Sequence, residues 1–512
     1  MQGVRTNRGC QDCRRRKKGC NFLRPTCSRC QRLGIKCTYE EKKFTFVATA
    51  GPSGRTSTPK EISRSSTPKP PFALASPSQS SLAETDHDLQ TVAAFWSIYL
   101  PHEDPALDGS IGGVLSAPWI PAVRNLAQTD SVLRTALEAC AFTGFGWVID
   151  NRAFVRRGLL LYGQALKRTN EALRDANEVQ TDATLACCRV LSLFEMLNRG
   201  QASGGQSQVQ DWQAHVDGTC RIIRMRGRGR HEAGHGLALY DGVRMTAIIQ
   251  GMARRKPNAF TLLNWTPPRT SIRDDLFELA ALLPGILQQM DMLGDEMLQN
   301  RDNLMAPQQL QHGQILVEQC IKIGVQLREW EANAIELCRI RREELLDNDD
   351  HFDQSTHLRL IDVCKRHGDG FFFICTQYWA ISIKVYSSTR LFHRQLSSFS
   401  QTTAQLSPAP LPDWMNPEPH ALNIAHMTSH FFRPEAGLWS AQSAIFPVGH
   451  ALFYFSVTGR RGSPTFKMMT EAFGQSKNGA VMRDFLNNVV SSDGKQYVSL
   501  SILRDQGSAR MI

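Results

Sequence analysis

Six of the chain's 14 cysteines lie between Cys10 and Cys37, spaced Cys10-x2-Cys13-x6-Cys20-x6-Cys27-x2-Cys30-x6-Cys37. This is one C-x2-C-x6-C unit repeated after a shift of 17 residues, so two similar half-sites are expected. Thiolates are soft ligands that suit zinc, which takes four of them in a tetrahedron. One zinc would leave two sulfurs idle, and two separate zincs would need eight ligands. The count closes if two cysteines bridge a pair of zinc ions, and the repeat-equivalent Cys10 and Cys27 are the natural bridges. Every coordination position is then a sulfur, which leaves no place for a reactive water and predicts a structural centre. A segment of 28 residues cannot build a sufficient apolar core. Metal binding must therefore supply most of its folding free energy, on the order of 10 kcal/mol or more.

The residues between these cysteines are basic. Arg14, Arg15, Arg16, Lys17 and Lys18 run unbroken along the short helix expected between Cys13 and Cys20, and some must face outward because the cysteines turn inward. A helix tip so charged can enter the major groove of DNA, where Lys or Arg reaches the O6 and N7 acceptors of guanine. Residues 1–43 hold 13 Lys/Arg against 3 Asp/Glu, so +10 of the chain's formal +11 lies in its first tenth. With six thiolates and two Zn²⁺ added, about +8 remains, still suited to phosphate. A bare zinc-stapled protein-interaction module is the competing reading, and this charge argues against it. The run at 14–18 also qualifies as a nuclear import signal.

Residues 9–39, GCQDCRRRKKGCNFLRPTCSRCQRLGIKCTY, resemble the DNA-binding domain of fungal binuclear zinc cluster transcription factors. They share its cysteine spacing, its basic first helix, the proline between the halves (Pro25) and the second half ending in Cys-x-Tyr. The resemblance implies two short helices around a binuclear zinc cluster and a nuclear protein that binds double-stranded DNA. It implies that Lys17 contacts guanines of a CGG-type triplet, with Arg16 and Lys18 beside it on bases or phosphates. Arg14, Arg15, Arg24, Arg29 and Arg32 are then phosphate contacts, which position a protein without specifying sequence. Gly19 departs from the family pattern, where another basic or apolar residue is common. Many members follow the cluster with a coiled coil that pairs two subunits. Here no sustained heptad precedes Gly51-Pro52, so binding as a monomer and pairing as a homodimer through a later region both stay open.

The rest of the chain must position or regulate this module. Residues 51–82 contain 20 Gly, Ser, Thr or Pro out of 32, and the stretch 44–87 is predicted to be a disordered linker. Its r.m.s. reach as a flexible chain is about 35 to 40 Å. Residues 88–512 are predicted to form a large all-α regulatory domain, because apolar residues recur at helical spacing and strand alternation is scarce. Leu133, Ala136, Leu137 and Cys140 follow an Asp130 cap, and Leu316, Cys320, Ile323, Leu327 and Trp330 make one stripe. Further helices are expected near 88–100, 152–175, 181–198, 209–226, 236–255, 274–300, 361–395, 440–456 and 464–491. The most apolar run, Phe371 to Ile383, is too short to cross a bilayer, so no membrane span is predicted. The N-terminus shows no secretory signal, which predicts a reducing intracellular compartment and thiols that are ligands or core residues.

Within this region Trp212-x2-His215-x2-Gly218-x7-Arg226-Gly227, followed by Arg254-Arg255-Lys256-Pro257 and Trp265, resembles the fungal-specific regulatory domain that accompanies such clusters. His215 reads as a hydrogen-bonded helix histidine, and Cys187-Cys188 as core. An acidic stretch with interspersed apolar residues, Glu343 to Asp353, offers a contact for transcriptional machinery, although an ordinary surface loop explains it as well. Control of one pathway, such as a secondary-metabolite gene cluster, is a role the resemblance allows and no residue encodes.

One motif points to an enzyme instead. His231-Glu232-Ala233-Gly234-His235 fits H-E-x-x-H, in which two histidines on one helical face bind zinc and the glutamate is a general base. A zinc metalloprotease is therefore the alternative function, with Glu278 the nominee for a third ligand. Gly227, Gly229, Gly234 and Gly236 around the motif argue against a rigid helix there. Arg226 to Arg230 resembles the core of a minor-groove AT-hook but lacks its proline, and a solvated loop is the better reading. No catalytic residue is assigned.

Overall fold

The computed structural model describes residues 13, 15–16, 27–35, 37, 79–100, 118–199, 205–257, 271–299, 307–340, 356–400, 409–474 and 476–493. Among them there are helices and turns but no strand. The chain divides into two compact units, Met1–Val47 and Ala48–Ile512. In the first, the helix α1 (Ser28–Arg32) is capped by Cys27, whose sulfur accepts from the Cys30 amide. Gly34 follows at φ 61, the left-handed conformation that ends a helix, and the Ile35 amide closes back onto the Cys30 carbonyl.

The second unit is a helical assembly. It comprises α2 (Gln79–Tyr99), α3 (Trp119–Leu126), α4 (Ser131–Val148), α5 (Arg152–Ala172), α6 (Asp182–Leu197), α7 (Gly205–Arg226) and α8 (Gly234–Arg254). These are followed by α9 (Ile272–Gln299), α10 (Pro307–Ile340), α11 (Thr356–Ser400), α12 (Glu418–Met427), α13 (Gly437–Ser443), α14 (Ile445–Val457), α15 (Pro464–Ala472) and α16 (Lys477–Asp493). Several starts are fixed by side chains that accept otherwise orphaned amides: Asp130 for α4, Asn151 for α5, Thr181 for α6 and Ser463 for α15. The core runs along α11, where Phe371, Phe372, Tyr378, Trp379 and Tyr386 are buried against α10, α12 and α14. This is the run that sequence reading excluded as a membrane span, and no described helix is long and apolar enough to cross one.

Close helix crossings depend on missing side chains. A Cβ on Gly158 would lie 2.8 Å from the Thr143 amide nitrogen, where α5 crosses α4, and one on Gly242 would lie 2.6 Å from Trp119. The stripe Leu316, Cys320, Ile323, Leu327 and Trp330 is buried along one face of α10, as its spacing predicts.

Boundaries differ from the expected ones where proline dominates the reading. Helix α2 begins at Gln79, inside the 44–87 stretch, because the last linker proline is Pro77 and helix formers follow. The helix expected over 440–456 is two, since Pro447 lacks the amide that would bond back to Ser443. The one expected over 464–491 breaks at the Phe473-Gly474 turn. Helices α3 and α12 were not foreseen; both have prolines in or beside their first turn, where proline starts a helix rather than breaking one.

Candidate metal centre and nucleic-acid interface

Cys27 caps α1, and three sulfur contacts converge on it. Its sulfur is 3.8 Å from the Cys13 sulfur and accepts from the Cys30 amide at 3.4 Å, while its own amide donates to the Cys37 sulfur at 3.3 Å. The sulfurs of Cys13, Cys27 and Cys30 all lie within 4.8 Å of one another. A tetrahedral zinc with bonds of about 2.3 Å holds its sulfurs about 3.8 Å apart, so the Cys13 and Cys27 pair has the spacing of two ligands to one ion. Cys13, Cys27 and Cys30 are 3%, 0% and 1% exposed, which excludes solvent from the centre. Ile35 and Cys37 pack against them, and no other apolar cluster supports this unit among its described residues. Cys10 and Cys20 lie outside the described residues.

The basic side chains turn the other way. Arg15, Arg16 and Arg32 are exposed and Arg29 is half-buried, with Arg29 and Arg32 on α1. Arg14, Lys17, Lys18 and Arg24 lie outside the described residues. Among the described residues the unit thus buries the sulfurs of Cys13, Cys27 and Cys30 and presents cations, the arrangement needed to hold a metal inside and meet phosphate outside.

The H-E-x-x-H segment does not form the helical pair it would need. Its first histidine closes a 3-10 turn, Arg228–His231, and the chain is extended at Ala233 and left-handed at Gly234 (φ 59), the first residue of α8. His235 therefore lies on a different helix from His231 and shares no face with it. His231 is buried and its Nδ1 donates to the Gly236 carbonyl at 3.1 Å. Glu232 accepts from Arg228 at 2.8 Å, and Glu278 is paired with Arg244, which also reaches Asp274 at 3.7 Å. The run Arg226 to Arg230 is likewise tied down: Arg226 is buried on Asp182, and Arg230 reaches the Gln180 carbonyl at 3.4 Å. The AT-hook reading fails on those contacts.

Residues 8–44 match the family model of the fungal Zn(2)-Cys(6) binuclear cluster domain. The chain carries that zinc-binding domain. Residues 116–335 match the fungal specific transcription factor domain. The Saccharomyces cerevisiae transcriptional regulatory protein UME6 is 47% identical over 47 residues, which is 9% of this chain and 6% of that protein. The Fusarium proliferatum transcription factor FUP7 is 46% identical over 39 residues, 8% of this chain and 16% of its own. An uncharacterised protein of Emericella nidulans is 26% identical over 140 residues, 26% of this chain and 28% of that protein. The chain thus spans less than a third of the length of each of these relatives. No solved structure is significantly similar to it.

The residues on which the resemblance to the regulatory domain rests, within the matched range 116–335, act as pins between helices. Trp212 meets Phe485 edge to face at 5.8 Å, and Arg254 joins Asp217 on α7 at 2.8 Å. Arg255, held left-handed at φ 51, joins Asp291 on α9 at 2.7 Å and Ser388 on α11 at 3.2 Å. His215 donates from Nε2 to the Tyr162 hydroxyl at 3.2 Å, and that hydroxyl donates in turn to Glu195. Burial lowers the His215 pKa to about 3, so it stays neutral, and raises that of Glu195 to about 8. Cys187 and Cys188 are buried, with Cys187 3.0 Å from the Thr169 hydroxyl. Trp265 and the acidic stretch 343–353 lie outside the described residues.

Sequence reading missed a cavity of about 640 Å³ in the second unit. Its wall is drawn from helices between α3 and α16, residues hundreds of positions apart, so no local spacing reveals it.

Proposed function

We propose that this chain is a sequence-specific DNA-binding transcription factor of RNA polymerase II genes. Two zinc ions are held by Cys10, Cys13, Cys20, Cys27, Cys30 and Cys37, with Cys10 and Cys27 as bridges. The observation that carries this reading is the meeting of Cys13, from the first half-site, with Cys27 and Cys30, from the second, at sulfur spacings that suit shared zinc. The zinc stiffens the segment so that Lys17 reaches guanines of a CGG-type triplet, with Arg16 and Lys18 beside it. Arg14, Arg15, Arg24, Arg29 and Arg32 hold the phosphates. Exposure of Arg15, Arg16 and Arg32 supports that division of labour. The protein acts in the nucleus, contacts transcriptional machinery, and binds DNA as a monomer or a homodimer. The resemblance of the second unit to a regulatory domain supports control of a particular set of genes.

Binding of the full chain to a CGG-containing duplex and to a scrambled one tests this. Lys17→Ala should cost about 1 to 3 kcal/mol on the CGG duplex alone, whereas Arg32→Ala should weaken both and reduce the salt slope by about one. Equal losses on the two duplexes for Lys17→Ala would overturn the base contact.

A further inference from the structure

The cavity of the second unit contains a cation with nothing to neutralise it. Arg189, on α6, is 6% exposed and lines the cavity wall. Among the described residues its guanidinium makes no hydrogen bond and no ion pair, and its Nε is buried without a partner. The Trp119 ring lies 4.4 Å from the guanidinium carbon, and the buried Tyr99 hydroxyl and Cys140 thiol, held neutral by burial, lie near enough to act on its charge without pairing with it. A stacked aromatic face compensates only part of the cost of burying such a charge. Burial accordingly pulls the Arg189 pKa below its ordinary value.

The remaining lining sets the character of what fits. Three arginines and one carboxylate line the cavity, with no lysine and no glutamate. Arg273 and Asp241 answer each other at 3.4 Å, and Arg461 is exposed, which leaves Arg189 as the buried positive charge. His450 also lines the wall, but burial lowers its pKa to about 3 and holds it neutral. Trp212, Phe277, Phe373, Trp439 and Phe446 supply broad aromatic walls. The volume falls within the range of sites that enclose drug-sized molecules.

We propose that this cavity is a binding site for an apolar, ring-containing small molecule bearing a single anionic group, with the anion received by Arg189. The apolar body displaces water from the aromatic walls, and the anion forms the charge-assisted pair that Arg189 lacks. The site is independent of the zinc cluster and does not rest on DNA recognition.

The test uses the full chain and two fluorescent probes with one ring system, anionic 8-anilino-1-naphthalenesulfonate and neutral N-phenyl-1-naphthylamine. The wild type should prefer the anion, and Arg189→Met should weaken the sulfonate about 10- to 100-fold while leaving the neutral probe unchanged. Arg189→Lys should keep most of the preference. Thr246→Phe, which intrudes on the cavity wall, should weaken both probes. An unchanged thermal transition confirms that each variant is folded; if Arg189→Met is not, the Lys and Phe variants decide. Equal wild-type affinity for the two probes, or sulfonate binding indifferent to Arg189→Met or Thr246→Phe in folded protein, would overturn the proposal.

Discussion

At the scale of single residues, the second unit carries charge states set by burial. The Glu195 carboxyl is lifted from 4.5 to about 8, first by burial and then by the nearby Asp211, against the lowering effect of the Tyr162 hydroxyl. The folded chain therefore holds a proton that the unfolded chain releases. The associated stability is complete below pH 4.5 and is lost as pH rises toward 8, at about 1.4 kcal/mol per pH unit within that window. Glu195→Gln keeps an acceptor for Tyr162 and removes the titration. Thermal melts at pH 5 and pH 8 should show the wild type losing a few kcal/mol more than the variant; equal losses would place a charged carboxylate there at both values. His215 works in the opposite sense, since its depressed pKa withdraws stability as pH falls below 6.5. Its role was legible in the sequence, as a hydrogen-bonded helix histidine, but its partner Tyr162, and the Glu195 carboxyl bonded to that tyrosine, were not, because they come from α5 and α6.

At the scale of elements, what was legible is what depends on nearby residues. The Asp130 cap is such a case: its carboxylate accepts from the Leu133 amide at 2.8 Å, at the expected position. Asp130→Ala should cost about 1 kcal/mol, read as a lowered denaturation midpoint with an unchanged slope. No change would mean that tertiary packing alone fixes the start of α4. The stripe of α10 was legible for the same reason. Helices α3 and α12 were not, because proline reads as a breaker until its place in the first turn is known. The H-E-x-x-H motif shows the reverse error, in which a matching string lacks the backbone it needs: Gly234 turns the chain left-handed between its two histidines.

At the scale of the molecule, stability comes from two different sources. The second unit rests on a long aromatic core along α11 and on buried helix contacts. The first has its sulfurs as its core. Chelation should therefore abolish DNA binding and leave the far-UV helical signal and main thermal transition of the large unit in place; loss of that transition with metal would show that the larger fold depends on zinc too. The cavity belongs to this scale also, since Arg189 has meaning only when residues from α3 to α16 are brought around it.

The cysteine arithmetic is the claim on which the proposed recognition of DNA depends, and its most direct test is a metal count on the intact chain by native mass spectrometry. Two zinc ions per chain, both lost on Cys27→Ser, are the predicted result. A single ion, or two that survive removal of Cys27, would contradict a shared sulfur cage.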